Sequence, residues 1–487
     1  MMNRHSYKFL LAVVLGITAC KKYDFGNINV NPNPQANTDA STAQLFTNVT
    51  RQIAGDLTIS DATPGTFVQY FTETQYPGAS LYTLIRSDWS TYYSGPLKDL
   101  QEIIDINSGE KASTATSYGS AKNQIAVARI MKAYLFSVVT DRWGDVPYFD
   151  ALKGSSNPTP KYDKQQDIYA DLFKELREAI TQFDGGAAVQ GELLFNGDAV
   201  KWKRFANSLR MRLAIRLTEA DAAKAKTEYM AAYNDPAGWI DDNSKNAAFP
   251  YLDNRNFRNP WAAKIDQRDD LGMSNVFIDS LKSYADPRIT KYASPTLTNT
   301  YIGAPFGWNQ GDINTWASNN QYSRIGTAIT AQNAPGYMIT SSEMYLIKAE
   351  AALRGWLTPA DIVTAYNKSI EQSWQQWGVY NAVSYATYIA DPKVVIATNT
   401  DLETGKRKIG TQKWISLFPN GQEAWSEWRR LNYPKLTPAR DAQSGRKIPL
   451  RNGYPGTEPT LNGSNYNAQV NSMSGGDTPD VPVWWDK

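Results

Sequence analysis

Apolar residues recur every three or four positions along much of this 487-residue chain, which favours an assembly of amphipathic helices. The spacing is clearest in four residues that would share one helix face: Ile168, Leu172, Leu176 and Ile180. A second stripe begins near Asp39, and residues 118–140 are apolar on almost every side, as a central buried helix would be. The chain is therefore predicted to be mainly α-helical.

Asp198 is predicted to cap a helix that has one apolar and one basic face. The apolar face carries Trp202 and Phe205. The basic face carries Lys201 and Arg210, and we expect it to lie in solvent.

Two consecutive helices in the second half have clear boundaries. Thr340 and Glu343 have the spacing of a capping box, and Gly355 would end the helix that they open. Thr358-Pro359 would start the next helix, with proline at its first position. Two helices joined by so short a turn resemble a tetratricopeptide-type hairpin, although no exact 34-residue repeat is visible.

The amino terminus has the pattern of a lipoprotein leader. Arg4 and Lys8 precede a short apolar stretch, and small residues then lead to Cys20, the only cysteine in the chain. Residues 1–19 are predicted to be a signal peptide, with Cys20 acylated and inserted in a membrane. Residues 20–38, rich in Asn and Pro, are predicted to form an extended tether.

The overall charge argues against nucleic acid as a partner. Lys and Arg total 50 against 48 acidic residues, and two of the basic residues lie in the predicted leader. Nucleic-acid binding normally needs a basic stripe. The chain has 15 Trp and 28 Tyr, and such an excess of rings suggests partly exposed contact surfaces.

The sequence offers few parts for catalysis. The single histidine, His5, lies in the leader, so histidine-based triads and zinc sites are not expected. No cofactor is predicted, although a structural Ca²⁺ near Asp253 and Asn254 is left open. Paired carboxylates could in principle support glycoside hydrolysis. The candidate pairs are Asp241/Asp242, Asp269/Asp270 and Glu423/Glu427, and neighbouring Arg429 and Arg430 are expected to neutralise the last pair.

Residues 299–322 lack a helical period and combine rings with amides, which predicts an ordered, irregular loop that binds a ligand. Flat rings stack on the apolar faces of sugars, and polar side chains bind the hydroxyl groups. The candidate ligand-binding residues in this loop are Trp308, Trp316, Tyr301, Tyr322, Asn309 and Asp312. An earlier segment, residues 76–93, adds Tyr82, Trp89 and Arg86.

Several segments together resemble the SusD/RagB family of nutrient-binding outer-membrane lipoproteins of Bacteroidetes, in particular its SusD-like branch. The segments that carry the resemblance are the leader ending in Cys20, Asn29–Asn33, Asp141–Tyr148, Ser342–Trp356, Gln412–Trp414 and Glu423–Arg430. The resemblance implies four tetratricopeptide-like hairpins that form a right-handed superhelical body with long, irregular, aromatic-rich loops. It also implies a single helical domain over residues 39–487, with a loop insertion at about 240–335.

The same resemblance implies a function in nutrient capture rather than catalysis. A family member would lie at the cell surface, anchored in the outer membrane, and pass oligosaccharides to a SusC-like TonB-dependent transporter. Its ligand site would gather rings near Trp89 and near Trp308 and Trp316. Three alternatives stay open at this point: peptide binding on the same scaffold, a glycosidase, and a purely structural scaffold whose rings are buried.

Overall fold

The computed structural model describes residues 41–486 apart from Asp56, Leu84, Ile85 and Asp269. The predicted leader, Cys20 and the tether lie outside these residues. Residues from Thr42 onward form one compact unit. No helix in the described part of the chain is long and apolar enough to cross a membrane.

The structure is mainly helical, as predicted. The longer helices are α1 Thr42–Ile53, α2 Lys98–Ser108, α3 Ala121–Trp143, α4 Gln165–Gln182, α5 Ala199–Arg216, α6 Ala222–Tyr233, α7 Pro260–Gln267, α8 Asn275–Ser283, α9 Gln310–Asn319, α10 Ser341–Leu353, α11 Pro359–Gln376, α12 Ala382–Ala390, α13 Leu402–Ser416, α14 Gly421–Leu431 and α15 Gly463–Ser472. Shorter α-helices span Ala62–Phe67, Ser90–Tyr92, Ala112–Ala115, Ile289–Tyr292, Thr327–Thr330 and Glu458–Leu461.

Four pairs of consecutive helices pack against each other: α3 with α4, α5 with α6, α10 with α11, and α13 with α14. Successive pairs are also in contact, because α4 packs on α5, α5 on α10, and α10 on α13. This arrangement agrees with the helical hairpins that the family resemblance implies. The central helix α3 is buried along most of its length, as its apolar sequence predicts.

Residues 234–340 separate the second helical pair from the third. They contain α7, α8 and α9 and three of the four short strands. The strands are β1 Phe71–Glu73, β2 Ala247–Phe249, β3 Leu271–Met273 and β4 Gly336–Ile339. β1 pairs with β3 and β2 with β4, both antiparallel, so this segment is joined to β1 near the amino-terminal end.

Charged side chains from five helices meet in the protein interior, and we call them the buried charge network. Arg216 on α5 is fully buried and pairs with Asp141 on α3 and with Glu423 and Glu427 on α14. The other members lie on α5, α10, α13 and α14: Arg212, Glu343, Glu350, Lys413 and Arg430. Most of these residues belong to the segments that carry the family resemblance, which therefore include the centre of the fold.

The prediction of a solvated basic face on α5 was wrong for Arg210. Asp198 does cap the helix by accepting from the backbone N–H groups of Val200 and Lys201. Arg210, however, is 2% exposed, because α6 packs on this side of α5 and brings Glu228 within 3.8 Å of its guanidinium.

The predicted capping box at the start of α10 is half correct. Thr340 accepts a hydrogen bond of 3.3 Å from the backbone N–H of Glu343. The Glu343 carboxylate does not return to Thr340 but accepts two hydrogen bonds from Arg212, at 2.5 and 2.7 Å. The buried charge network thus replaces the reciprocal cap. Gly355, at φ +74°, lies just past the end of the helix as predicted.

Candidate ligand-binding site

The segment 299–322 is not irregular throughout, because residues 310–319 form helix α9. Asn309 caps this helix, and its side-chain oxygen accepts from the backbone N–H of Asp312 at 3.0 Å. Ile313 is buried beneath it, and Trp316 follows three residues later on the same face. The prediction of an irregular loop was therefore wrong at this point.

Helix α9 brings two of the predicted rings together. The ring centroids of Trp316 and Tyr322 are 5.8 Å apart, with 43° between the ring planes. The hydroxyl of Tyr322 lies 2.9 Å from that of Thr74, and the Arg324 guanidinium lies 4.2 Å from the centre of the Tyr322 ring. Tyr322 is therefore fixed in position by contacts on more than one side.

Thr74, Tyr322 and Arg324 line a cleft of about 680 Å³, which we call the α9 cleft. Trp316 packs against Tyr322 but is not part of the lining. Tyr322 and Tyr76 both line it, and the Tyr76 side chain is 64% exposed. The polar lining consists mainly of amides and hydroxyls: Gln75, Gln310, Asn314, Asn320, Gln321, Thr74, Thr296 and Ser318. Arg324 is the single charged side chain among the described residues of the lining. The cleft thus combines flat apolar rings with neutral hydrogen-bonding groups, as sugar binding requires.

Trp308, Asn309 and Asp312 lie at the amino-terminal end of α9, outside the lining of the cleft. The Arg440 guanidinium lies 4.4 Å from the centre of the Trp308 ring and pairs with Asp312 and Asp441. Asn309 donates its backbone N–H to Asp441 at 2.8 Å. Hydrogen bonds from Arg440 and from the Asn309 backbone hold the pKa of Asp441 below its usual value. Asn309 and Asp312 are thus engaged within the protein, and Trp308 keeps a partly exposed ring.

Tyr301 is also separate from the cleft. Its ring is partly buried against the core beneath residues 234–340, and its backbone carbonyl accepts from Lys282 at 3.4 Å. Sequence spacing suggested a single aromatic loop, but the structure divides its rings among three positions.

The early segment does not supply the exposed rings that the sequence suggested. Tyr82 is fully buried, and its hydroxyl accepts from the backbone N–H of Ala439 at 3.1 Å. Burial raises the pKa of Tyr82 to about 12. Trp89 is 6% exposed and packs in a cluster of rings with Tyr93 and Trp143. Neither ring lines the α9 cleft.

Arg86 likewise has partners within the protein. Its guanidinium donates to the backbone carbonyl of Tyr454 at 2.8 Å and lies 3.0 Å from the carboxylate of Asp477. The ring that this segment does bring to the cleft is Tyr76, which the sequence reasoning did not select. The only sequence signal for it is the Pro77-Gly78 turn, which follows it and is typical of an exposed position.

The candidate catalytic carboxylates among the described residues are committed to other contacts. Asp241 pairs with Lys245, and Asp242 accepts from the backbone N–H of Ser244. Asp270 pairs with Arg268, while Asp269 lies outside the described residues. The pair formed by Glu423 and Glu427 belongs to the buried charge network, where burial raises the pKa of Glu423 to about 7.

The expected neutralisation of this pair is correct for Arg430, which bonds to Glu427 at 2.6 Å. Arg429 instead stacks on Trp425 and Trp485.

The described part of the chain contains no group of three or more His, Cys, Asp or Glu side chains that could hold a metal ion. At the position considered for Ca²⁺, the side-chain oxygen of Asn254 accepts from the backbone N–H groups of Asn256 and Phe257. This oxygen is used in a local turn.

Comparison with known proteins gives a consistent family. The family model described as "Starch-binding associating with outer membrane", of the SusD-like group, matches residues 33–455. Comparison with curated proteins finds no significant match.

Among solved structures, a chitin-binding protein is 30% identical, with 92% of this chain and 100% of that chain covered and a TM-score of 0.78. A chitin-binding SusD homolog from Flavobacterium johnsoniae is 25% identical, with 92% and 98% covered and a TM-score of 0.78. A SusD homolog from Bacteroides uniformis is also 25% identical, with 92% and 100% covered and a TM-score of 0.79. On this coverage by the family model and by its relatives, the chain belongs to the SusD-like family.

Proposed function

We propose that the α9 cleft binds an oligosaccharide nutrient, with chitin fragments as the first candidates. The observation that carries the proposal is that the rings of Tyr76 and Tyr322 line a cleft of about 680 Å³, with Trp316 packed against Tyr322. Two relatives that cover nearly all of this chain are named as chitin-binding. The family description names starch, which is the second candidate.

The chemistry of the cleft fits a neutral sugar better than a charged ligand. The rings of Tyr76 and Tyr322 can stack on the C–H faces of sugar rings. Side-chain amides donate and accept hydrogen bonds, so they can bind both sugar hydroxyls and the acetamido groups of chitin. Ligand pockets typically combine such apolar surfaces with a few placed polar groups.

SusD-like proteins are binding proteins and not enzymes. The family is associated with the outer membrane, so the ligand would be bound there. Because the family is non-catalytic, the ligand would be held and not cleaved. We further propose that the bound oligosaccharide passes to a SusC-like TonB-dependent transporter, and that Cys20 carries the lipid anchor. Co-purification of a transporter with the membrane-extracted protein, and its loss in Cys20→Ala, would test these two steps together.

Titration calorimetry with chitohexaose tests the proposed ligand and its site. Tyr322→Ala should weaken binding at least tenfold, because it removes a ring that lines the cleft. Trp316→Ala should also weaken binding, because it removes the ring that packs against Tyr322. Tyr380→Ala is the matched control, since Tyr380 is 41% exposed and does not line the cleft. Unchanged affinity in both cleft variants would remove the site assignment.

The same titration distinguishes the ligand classes. Maltohexaose and a library of short peptides serve as competing ligands. Stronger binding of maltohexaose would replace chitin by starch, and binding of peptides alone would replace the oligosaccharide proposal. Trp308→Ala should have a smaller effect than Trp316→Ala, because Trp316 packs against the cleft-lining ring of Tyr322, whereas Trp308 packs against Arg440.

A further inference from the structure

A small cavity of about 30 Å³ lies where residues 234–340 meet the helical pairs. Its walls come from α7 and β4 on one side and from α10, α11 and α13 on the other. The turn between α13 and α14 completes the lining.

Three polar side-chain groups in this lining have no hydrogen-bond partner among the described residues: the Ser60 hydroxyl and the indole N–H groups of Trp261 and Trp377. The three side chains are 1%, 2% and 9% exposed, respectively. A buried donor that makes no hydrogen bond costs free energy, and native proteins rarely leave one unsatisfied. Three such groups around one cavity therefore indicate something that binds all of them.

Three other polar residues of the lining, Asn259, Glu343 and Asn420, already have hydrogen-bond partners. Asn259 caps α7 through its side-chain oxygen and donates its amide to the carbonyl of Ala334. Glu343 accepts from Arg212, and Asn420 accepts from the backbone N–H of Glu423. The fully buried side-chain groups that remain to be satisfied are two indole donors and one hydroxyl, and the described lining has no unpaired charge.

We infer that this cavity binds one or two water molecules that join Ser60, Trp261 and Trp377. A single water needs roughly 10–15 Å³ of accessible volume and two to four polar partners, and this cavity offers both. The water oxygen has two lone pairs, which can accept from the two indole N–H groups, and a water hydrogen can donate to the Ser60 hydroxyl. The three residues lie on three separate segments, so the water would tie residues 234–340 to the helical pairs.

Replacement of Ser60 by alanine separates a hydrated cavity from a dry one, because the two cases give changes of opposite sign. If water is bound, Ser60→Ala removes a hydrogen bond, and the ratio of folded to unfolded protein should fall about fivefold. If the cavity is dry, Ser60→Ala removes an unsatisfied hydroxyl and should leave the ratio unchanged or higher. Urea unfolding of the chain from residue 21 to 487 measures this ratio.

Ser342→Ala is the matched control. The Ser342 hydroxyl is also buried, at 1% exposure, and also lacks a partner among the described residues, but it does not line this cavity. Its replacement should therefore not lower the ratio. Equal behaviour of the two alanine variants would overturn the inference.

A high-resolution crystal structure of the unsubstituted chain provides a direct measurement. We expect a solvent peak about 2.7–3.2 Å from at least two of the three polar atoms. An empty cavity, or a direct hydrogen bond from either indole to a protein group, would overturn the inference even if Ser60→Ala failed to fold.

Discussion

Arg430 on α14 donates two hydrogen bonds, of 2.6 and 2.7 Å, to the carboxylate of Glu350 on α10, and both side chains are fully buried. Lys413 on α13 adds a third bond to the same carboxylate, at 2.9 Å. Although burial opposes it, these basic groups hold the pKa of Glu350 well below its usual range. Glu350 therefore links the third and fourth helical pairs as a buried anion.

Glu350→Gln should destabilise the fold by about 3–5 kcal/mol, because it leaves Arg430 and Lys413 buried without their anion. Urea unfolding near pH 7 measures the change. Glu219→Gln is the control: Glu219 pairs with Arg354, but its side chain is 34% exposed, so its replacement should cost less than about 1 kcal/mol. Similar values for the two variants would contradict a structural role for the buried charge network.

Gly272→Ala should weaken ligand binding without unfolding the protein. A β-carbon at position 272 would lie 2.8 Å from the Tyr322 ring, so Tyr322 would have to shift from its position in the cleft and against Trp316. We expect the affinity for chitohexaose to fall at least tenfold in calorimetry while the far-UV circular dichroism stays unchanged.

Gly456→Ala is the control for that substitution, because a β-carbon there would meet nothing within 4 Å. It should bind as the unsubstituted protein does. Full affinity in Gly272→Ala would mean that the Trp316–Tyr322 geometry does not decide binding.

Tyr82→Phe tests the role that the structure gives to this residue. The substitution leaves the backbone N–H of Ala439 buried without its acceptor, which should cost about 1–3 kcal/mol in urea unfolding. Tyr380→Phe, at an exposed ring, should change stability by less than about 0.5 kcal/mol. Loss of ligand binding in Tyr82→Phe at unchanged stability would instead support the original assignment of Tyr82 to the ligand site.

The helical pairs could be predicted from the sequence because their signals are local. The stripe from Ile168 to Ile180 and the caps at Asp198 and Thr358 depend on residues within a few positions of one another. The segments that carry the family resemblance could likewise be recognised from consecutive residues. In three dimensions many of those residues form one charge network.

The exposure of individual side chains could not be predicted because it depends on distant contacts. Tyr82 is buried by a segment 357 residues away in the sequence, and Arg210 is buried by the packing of α6. Tyr76 gave no stronger signal than Tyr82, although only Tyr76 is exposed at the cleft. Residue type therefore indicated that rings serve the site but not which rings.

Asp486 should make the fold less stable as the pH rises. Burial raises its pKa to about 6, from about 3.9 in an unfolded chain, although the nearby Arg429 opposes the rise. The folded state therefore keeps this proton longer, and the contribution to stability is full below pH 4 and lost as the pH rises through 6. Asp486→Asn should thus be about 1–3 kcal/mol more stable than the unsubstituted protein at pH 8 and nearly equal to it at pH 4.

Asp401→Asn should show the opposite trend in the same urea series, because hydrogen bonds from Thr404 lower the pKa of Asp401 and its cap is lost as the pH falls. A difference between Asp486→Asn and the unsubstituted protein that does not change with pH would show that Asp486 is ionised throughout this range.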